Sequence, residues 1–115
     1  MSSRASARRS ADDRLDRVFH ALSDRTRRRI LAELSREPAK ITDLAAPFAM
    51  SLPAVSRHIR VLEDAQLVRR SIDGRVHRCS LDAAPLKTAE AWLERYRPFW
   101  GGTLDALADY VERTR

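Results

Sequence analysis

Apolar residues recur at helical spacing from Leu15 to Leu62, alternate with polar ones around Asp73-Gly74, and return to the helical period after Pro85. A 3.6-residue period wraps one face of a helix, whereas a two-residue period lines one face of a strand. This switch of rhythm and back predicts a mainly helical fold interrupted by one small β-hairpin. At 115 residues the chain suits a single domain with one modest core.

In the first helix, Leu15, Val18, Phe19 and Leu22 form one apolar stripe. Ser23-Asp24 then offers an N-cap to a second helix, whose buried positions are Ile30, Leu31 and Leu34, with Pro38 closing it. A short third helix is expected across "ITDLAAPF", limited by Pro47. The fourth is "SLPAVSRHIRVLED": Ser51 caps it, and Pro53 falls in the first turn, where a missing N–H does little harm. "QLVRRSIDGRVHRCSLD" is the one β-type signal, with a tight turn at Asp73-Gly74. The terminal segment carries Leu86, Leu93, Tyr96, Trp100, Leu104, Leu107 and Val111 at helical spacing, with Pro98 and Gly101-Gly102 inside it. A kinked helix and two separate helices both fit. A short helix, a turn, an amphipathic helix and a hairpin make a winged helix-turn-helix.

The fourth helix has two unlike sides. At 100° per residue Val55, Ile59 and Leu62 share one side, which must face the core. Pro53, Arg57, Arg60 and Asp64 fall opposite, with Ser56 flanking them. A helix entering the major groove needs this display: short residues such as Ser51, Ala54 and Ser56 allow close approach, and arginines reach guanine edges or phosphates. His58 lies at the flank, as a packing or phosphate-contacting residue. The hairpin adds Arg69, Arg70, Arg75, His77 and Arg78. Alternation cannot turn them all to one side, and Arg75, at the tip, is the best single candidate for a backbone or minor-groove contact.

Composition agrees. The net charge is +6, and all but two of the 22 basic residues are arginines, whose planar fork suits phosphate and guanine. Double-stranded DNA is the expected partner. The first eleven residues read as a disordered basic arm, leaving 12–115 as one DNA-binding and dimerisation domain. One cysteine, Cys79, permits no internal disulfide and suits a reducing cytoplasm. No apolar run approaches a membrane span of about 20 residues. No nucleophile–base–acid set or glycine-rich phosphate loop is present, so neither catalysis nor a cofactor is expected.

"ALSDRTRRRILAEL", "ITDLAAPFAMSLPAVSRHIRVLEDAQLVRR" and "DGRVHRCSLDAAPL" together resemble the ArsR-type winged helix regulators of bacteria. The aromatic ending "WLERYRPFW...LDALADYVE" is similar to one branch of that family. The resemblance implies a homodimeric repressor that binds a palindromic operator and releases it with an effector. It assigns "LPAVSRHIRVLED" to the recognition helix, "DGR" to the wing, and the first and last helices to the dimer interface. Leu15, Val18, Phe19, Leu104 and Leu107 are the apolar candidates for that interface. Trp92, Tyr96, Phe99, Trp100 and Tyr110 join them, being more aromatic surface than one small core readily covers.

The chain departs from the family in three ways. It lacks the cysteine and histidine ligands of the metal-sensing members, so no metal site is expected. Gln66 stands where relatives carry glycine, and a left-handed backbone there would store about 1 kcal/mol. Arg25 replaces a common proline and heads a cluster with Arg27, Arg28 and Arg29, open to phosphate or to pairing with Asp12, Asp13 or Asp16. Two other functional readings stay open on the residues alone. One is a winged helix used only for protein interaction or dimerisation. The other is a DNA-binding sensor, acting through Cys79 or an apolar ligand between the terminal helices.

Overall fold

The computed structural model describes residues 3–114. In chain order these form α1 Ser3–Leu22, α2 Arg25–Leu34, β1 Ala39–Lys40, α3 Ile41–Ala45, α4 Leu52–Asp64, β2 Val68–Asp73 and β3 Val76–Leu81. They are followed by α5 Ala84–Glu94, a 3₁₀ turn Arg97–Trp100 and α6 Thr103–Thr114. Asp24 starts α2 by accepting a hydrogen bond from the Arg27 backbone N–H at 3.0 Å. That bond first, aided by the nearby Arg27 side-chain charge, holds its carboxyl below the usual carboxylate range. Ser51 starts α4 in the same way, its Oγ accepting from Ala54 N–H at 3.3 Å.

The far end of α4 closes on a left-handed residue. Gln66 has φ +62°; its N–H bonds to Glu63 O at 2.8 Å, and Leu67 N–H bonds to Leu62 O at 2.9 Å. This pair of bonds is a Schellman motif, and the buried Leu62 and Leu67 supply its apolar contact. The left-handed backbone that the sequence left as a condition at Gln66 is present.

The core lies where α2, α3 and α4 meet the sheet. Ile30, Val55, Ile59, Leu62, Leu67 and Cys79 are its largest fully buried side chains, each large aliphatic one contributing about 1.5–3 kcal/mol. Burial pushes the Cys79 thiol up from its ordinary pKa, which disfavours the thiolate that redox chemistry needs. α5 packs on α1, with Phe19 and Trp92 edge-to-face at 5.5 Å and Trp92 against Tyr96 at 5.0 Å.

The structure departs from the sequence reading at two places and decides a third that the sequence left open. The sheet has three antiparallel strands in the order β1-β3-β2, so the hairpin is not alone; β1 is two residues long and too short to show a period. The arm expected to be disordered over 1–11 is helical from Ser3. Ala5, Ala7, Ala11 and the intervening arginines are strong helix formers, and extending an existing helix adds a bond per residue without a new nucleus. The terminal segment is two helices, split at Pro98 and Gly101-Gly102 by the 3₁₀ turn.

Candidate nucleic-acid interface

Helix α4 is held by four elements. α1, α2, α3 and β2 all pack on it, and Val55, Ile59 and Leu62 are wholly buried beneath it. Arg57, Arg60, Asp64, Pro53 and Ser51 are exposed on the outer side, while Ala54 and Ser56 are half-buried. Neither Arg57 nor Arg60 has a hydrogen-bond or ion-pair partner among the described residues. A rigid, capped rod thus presents two unpaired guanidinium groups to solvent.

His58 turns the other way. Arg27 is buried at 8 % exposure; its Nε donates to Ala21 O at 2.8 Å and its Nη2 to His20 O at 2.9 Å. The remaining arm, Nη1, lies 3.1 Å from His58 Nδ1. Because a guanidinium only donates, Nδ1 is the acceptor, with the Asp24 carboxylate 3.8 Å away. His58 is therefore a packing residue that ties α4 to the α1–α2 corner. Arg28 serves the same corner, donating to Leu22 O at 2.8 Å, whereas Arg29 stacks on Phe48, in the α3–α4 connection, at 4.9 Å. Cations at the carbonyl end of α1 complement its dipole. That, rather than pairing with Asp12, Asp13 or Asp16, is what occupies Arg27 and Arg28.

The wing is the β2–β3 hairpin. Asp73 pairs with Val76, leaving Gly74 and Arg75 as a two-residue turn. Gly74 has φ +63°, and Gln66 is the one described non-glycine with positive φ. A positive φ at the first central residue alone is the pattern of a type II′ turn, which glycine makes accessible. Arg75 is exposed at the tip.

The other basic residues divide by strand face. Arg69 points outward but is paired, donating to Asp82 from Nε at 3.1 Å and from Nη2 at 2.9 Å. Asp82 also accepts from Ala84 N–H at 3.1 Å, at the start of α5. That backbone bond first, and Arg69 second, hold its carboxyl below the usual range. Arg78 is exposed on the same outer face, beside Ser71 on β2 and Lys40 on β1. Arg70 lies on the inner face, donating to Glu63 at 2.5 Å and facing His77 Nδ1 at 3.1 Å. Arg70 and His77 thus bind each other; alternation turns them toward α4, and β pairing brings the partners together.

A cleft of about 410 Å³ separates α4 from the wing. Ser56, Arg70, Arg75 and His77 line it, together with Lys40 and Thr42. Sequence reasoning missed both: β1, which carries Lys40 to the cleft rim, left no periodic signal, and nothing in the short α3 singles out Thr42. Among the described residues no three His, Cys, Asp or Glu side chains gather to hold a metal ion. No described helix is long and apolar enough to cross a membrane.

The surface expected to dimerise is partly used within the protomer. Val18 is buried, and Leu15, Phe19 and Trp92 are half-buried where α1 meets α5. Tyr96, Phe99, Trp100, Leu107 and Tyr110 stay exposed, Phe99 at 83 %. The Leu104 side chain lies outside the described residues.

Comparison with known proteins agrees with this architecture. Residues 22–71 match a family model described as a helix-turn-helix domain. The HTH-type transcriptional regulator Rv2034 of Mycobacterium tuberculosis is 35 % identical over 97 residues, covering 84 % of this chain and 88 % of that protein. The transcriptional repressor SdpR of Bacillus subtilis is 32 % identical over 79 residues, covering 69 % and 88 %. The crystal structure of the ArsR family transcriptional regulator RHA00566 superposes with a TM-score of 0.73 at 42 % identity, covering 77 % of this chain and 92 % of that one. These are regulators of transcription, a class without enzymatic activity, and their likeness runs through the helix-turn-helix and the wing alike. The chain belongs to the ArsR family of helix-turn-helix transcriptional regulators.

Proposed function

We propose that this regulator works in the cytoplasm as a homodimeric repressor, reading a palindromic operator with α4 and gripping the flanking backbone with the wing. One observation carries the reading: Arg57 and Arg60 stand unpaired on the outer side of a helix whose inner side is fully buried. Ser51, Pro53, Ala54 and Ser56 would approach the bases with them. Arg75 would meet the sugar-phosphate wall, with Arg78 and Arg69 in reserve on the outer face. Arg70, His77 and His58 are left out, because each is engaged within the chain and half-covered or turned inward; Arg69 is paired too, but on the exposed outer face.

Two features support a dimer. The exposed aromatics run along the terminal elements, and the Cα radius of gyration is 18.3 Å, against about 13 Å for a compact domain of 100 residues. A second copy covering the outlying helices would shield apolar surface that one protomer leaves wet. Two recognition helices would then fall about 34 Å apart, one turn of DNA.

Selecting bound fragments from genomic DNA with the purified chain tests this directly. The expected yield is an inverted repeat whose half-site centres lie about 10 base pairs apart or a multiple of that. Lone half-sites, or fragments with no shared sequence, would contradict it.

A further inference from the structure

We infer that Arg70 is a positioning residue: it joins the last turn of α4 to β3 and so fixes the angle at which the wing carries Arg75 toward DNA. The inference rests on the DNA-reading proposal above and adds to it a residue that does not itself meet DNA.

Three elements share one guanidinium. Glu63 comes from α4, Arg70 from β2 and His77 from β3, with contacts of 2.5 Å and 3.1 Å. Arg70 and Glu63 side chains are only 20 % and 28 % exposed. Within the hairpin Arg70 stands directly opposite the buried Cys79, and this is the outermost rung with a buried member. Past it, residues 71–76 are all exposed, Ile72 at 62 %. No core contact therefore aims the tip, and its direction is set at the last anchored rung.

The choice of arginine there is costly and so informative. Its Nε is buried without a partner among the described residues, and an unsatisfied buried N–H is unfavourable. An aliphatic residue would avoid that penalty, as Val68 and Leu81 do further along the same face. What an aliphatic residue cannot supply is direction: the planar fork holds its acceptors at fixed angles. Glu63 also offsets the charge, which leaves Arg70 little to offer a phosphate.

The two roles of this pair differ in sign. If charge alone mattered, Glu63→Ala would tighten DNA binding by removing a negative group near the duplex. If the joint aims the wing, the same substitution weakens operator binding. Affinities of the full chain for a selected operator and a random duplex, at fixed salt, give the answer when Glu63→Ala is crossed with Arg75→Ala. The expected result is a loss of about tenfold on the operator for Glu63→Ala, with Arg75→Ala then adding less than about twofold. Arg70→Met should behave alike, and thermal melting of each variant checks that it is folded. Unchanged or tighter operator binding by folded Glu63→Ala, or an Arg75→Ala loss undiminished in its background, would overturn the role given to Arg70. A wild-type chain that binds operator and random DNA alike would instead overturn the DNA-reading proposal, so the two failures are distinct.

Discussion

Arg27 is the side chain whose charge says least about its place. It is buried, yet its bonds to Ala21 O, His20 O and His58 leave each arm of the fork occupied, which offsets the cost of removing a cation from water. The same corner holds Asp24, where a charge and a cap coincide. Its folded pKa is lowered, so the stability its charge contributes is complete above the unfolded value of about 3.9 and is lost as pH falls through the lower folded one. Asp24→Ala should cost about 1 kcal/mol at pH 7, and Asp24→Asn less, because the amide oxygen still caps. Urea denaturation at pH 7 and pH 3 checks both: the gap between wild type and Asp24→Asn should close on acidification, and a constant gap would contradict the assignment. Caps such as Ser51 and Asp24 were legible because their reasons lie within four residues. Arg27, His58 and Arg70 were not. The His58 contact to Arg27 spans 31 positions, and Arg70 meets partners on two other elements, so no local pattern marks them as internal.

Among the elements, α4 is specified at both ends and along its length. Ser51 starts it, Val55, Ile59 and Leu62 seat it, and the left-handed Gln66 stops it. This last residue carries a side chain where only glycine is free of steric conflict. Gln66→Gly should therefore raise stability by about 1 kcal/mol, less the added freedom of glycine in the unfolded chain. A urea midpoint no higher than that of the wild type would show that the Gln66 side chain repays its strain through contacts. Long amphipathic elements and the Asp73-Gly74 turn could be read from their period and composition. β1 could not, since two residues cannot display alternation, and its existence depends on β3 offering a free edge. The split after α5 follows from Pro98 and Gly101-Gly102, but the sequence leaves a kink equally open. The helical start at Ser3 shows propensity prevailing where charge and low apolar content suggested disorder.

For the whole molecule, charge and shape point to the same division of labour. Among the described residues the helix-turn-helix and wing carry exposed arginines and no exposed aromatic, whereas the exposed aromatics all lie in the C-terminal segment from Tyr96 to Tyr110. One surface suits a polyanion and the other a second apolar surface. If a dimer neutralises about six to ten phosphates, its affinity should fall roughly 10³- to 10⁵-fold between 50 and 200 mM salt. Salt dependence measures grip, however, and sequence discrimination rests on α4. Fluorescence anisotropy of Arg57→Ala against a selected operator and a random duplex, at one salt concentration, isolates that contribution. The expected result is a loss of about 1–3 kcal/mol on the operator with a smaller loss on random DNA, so that the ratio of the two affinities shrinks. Equal losses on both duplexes would mean that Arg57 meets only the backbone, and would contradict the reading of α4 as the helix that reads sequence.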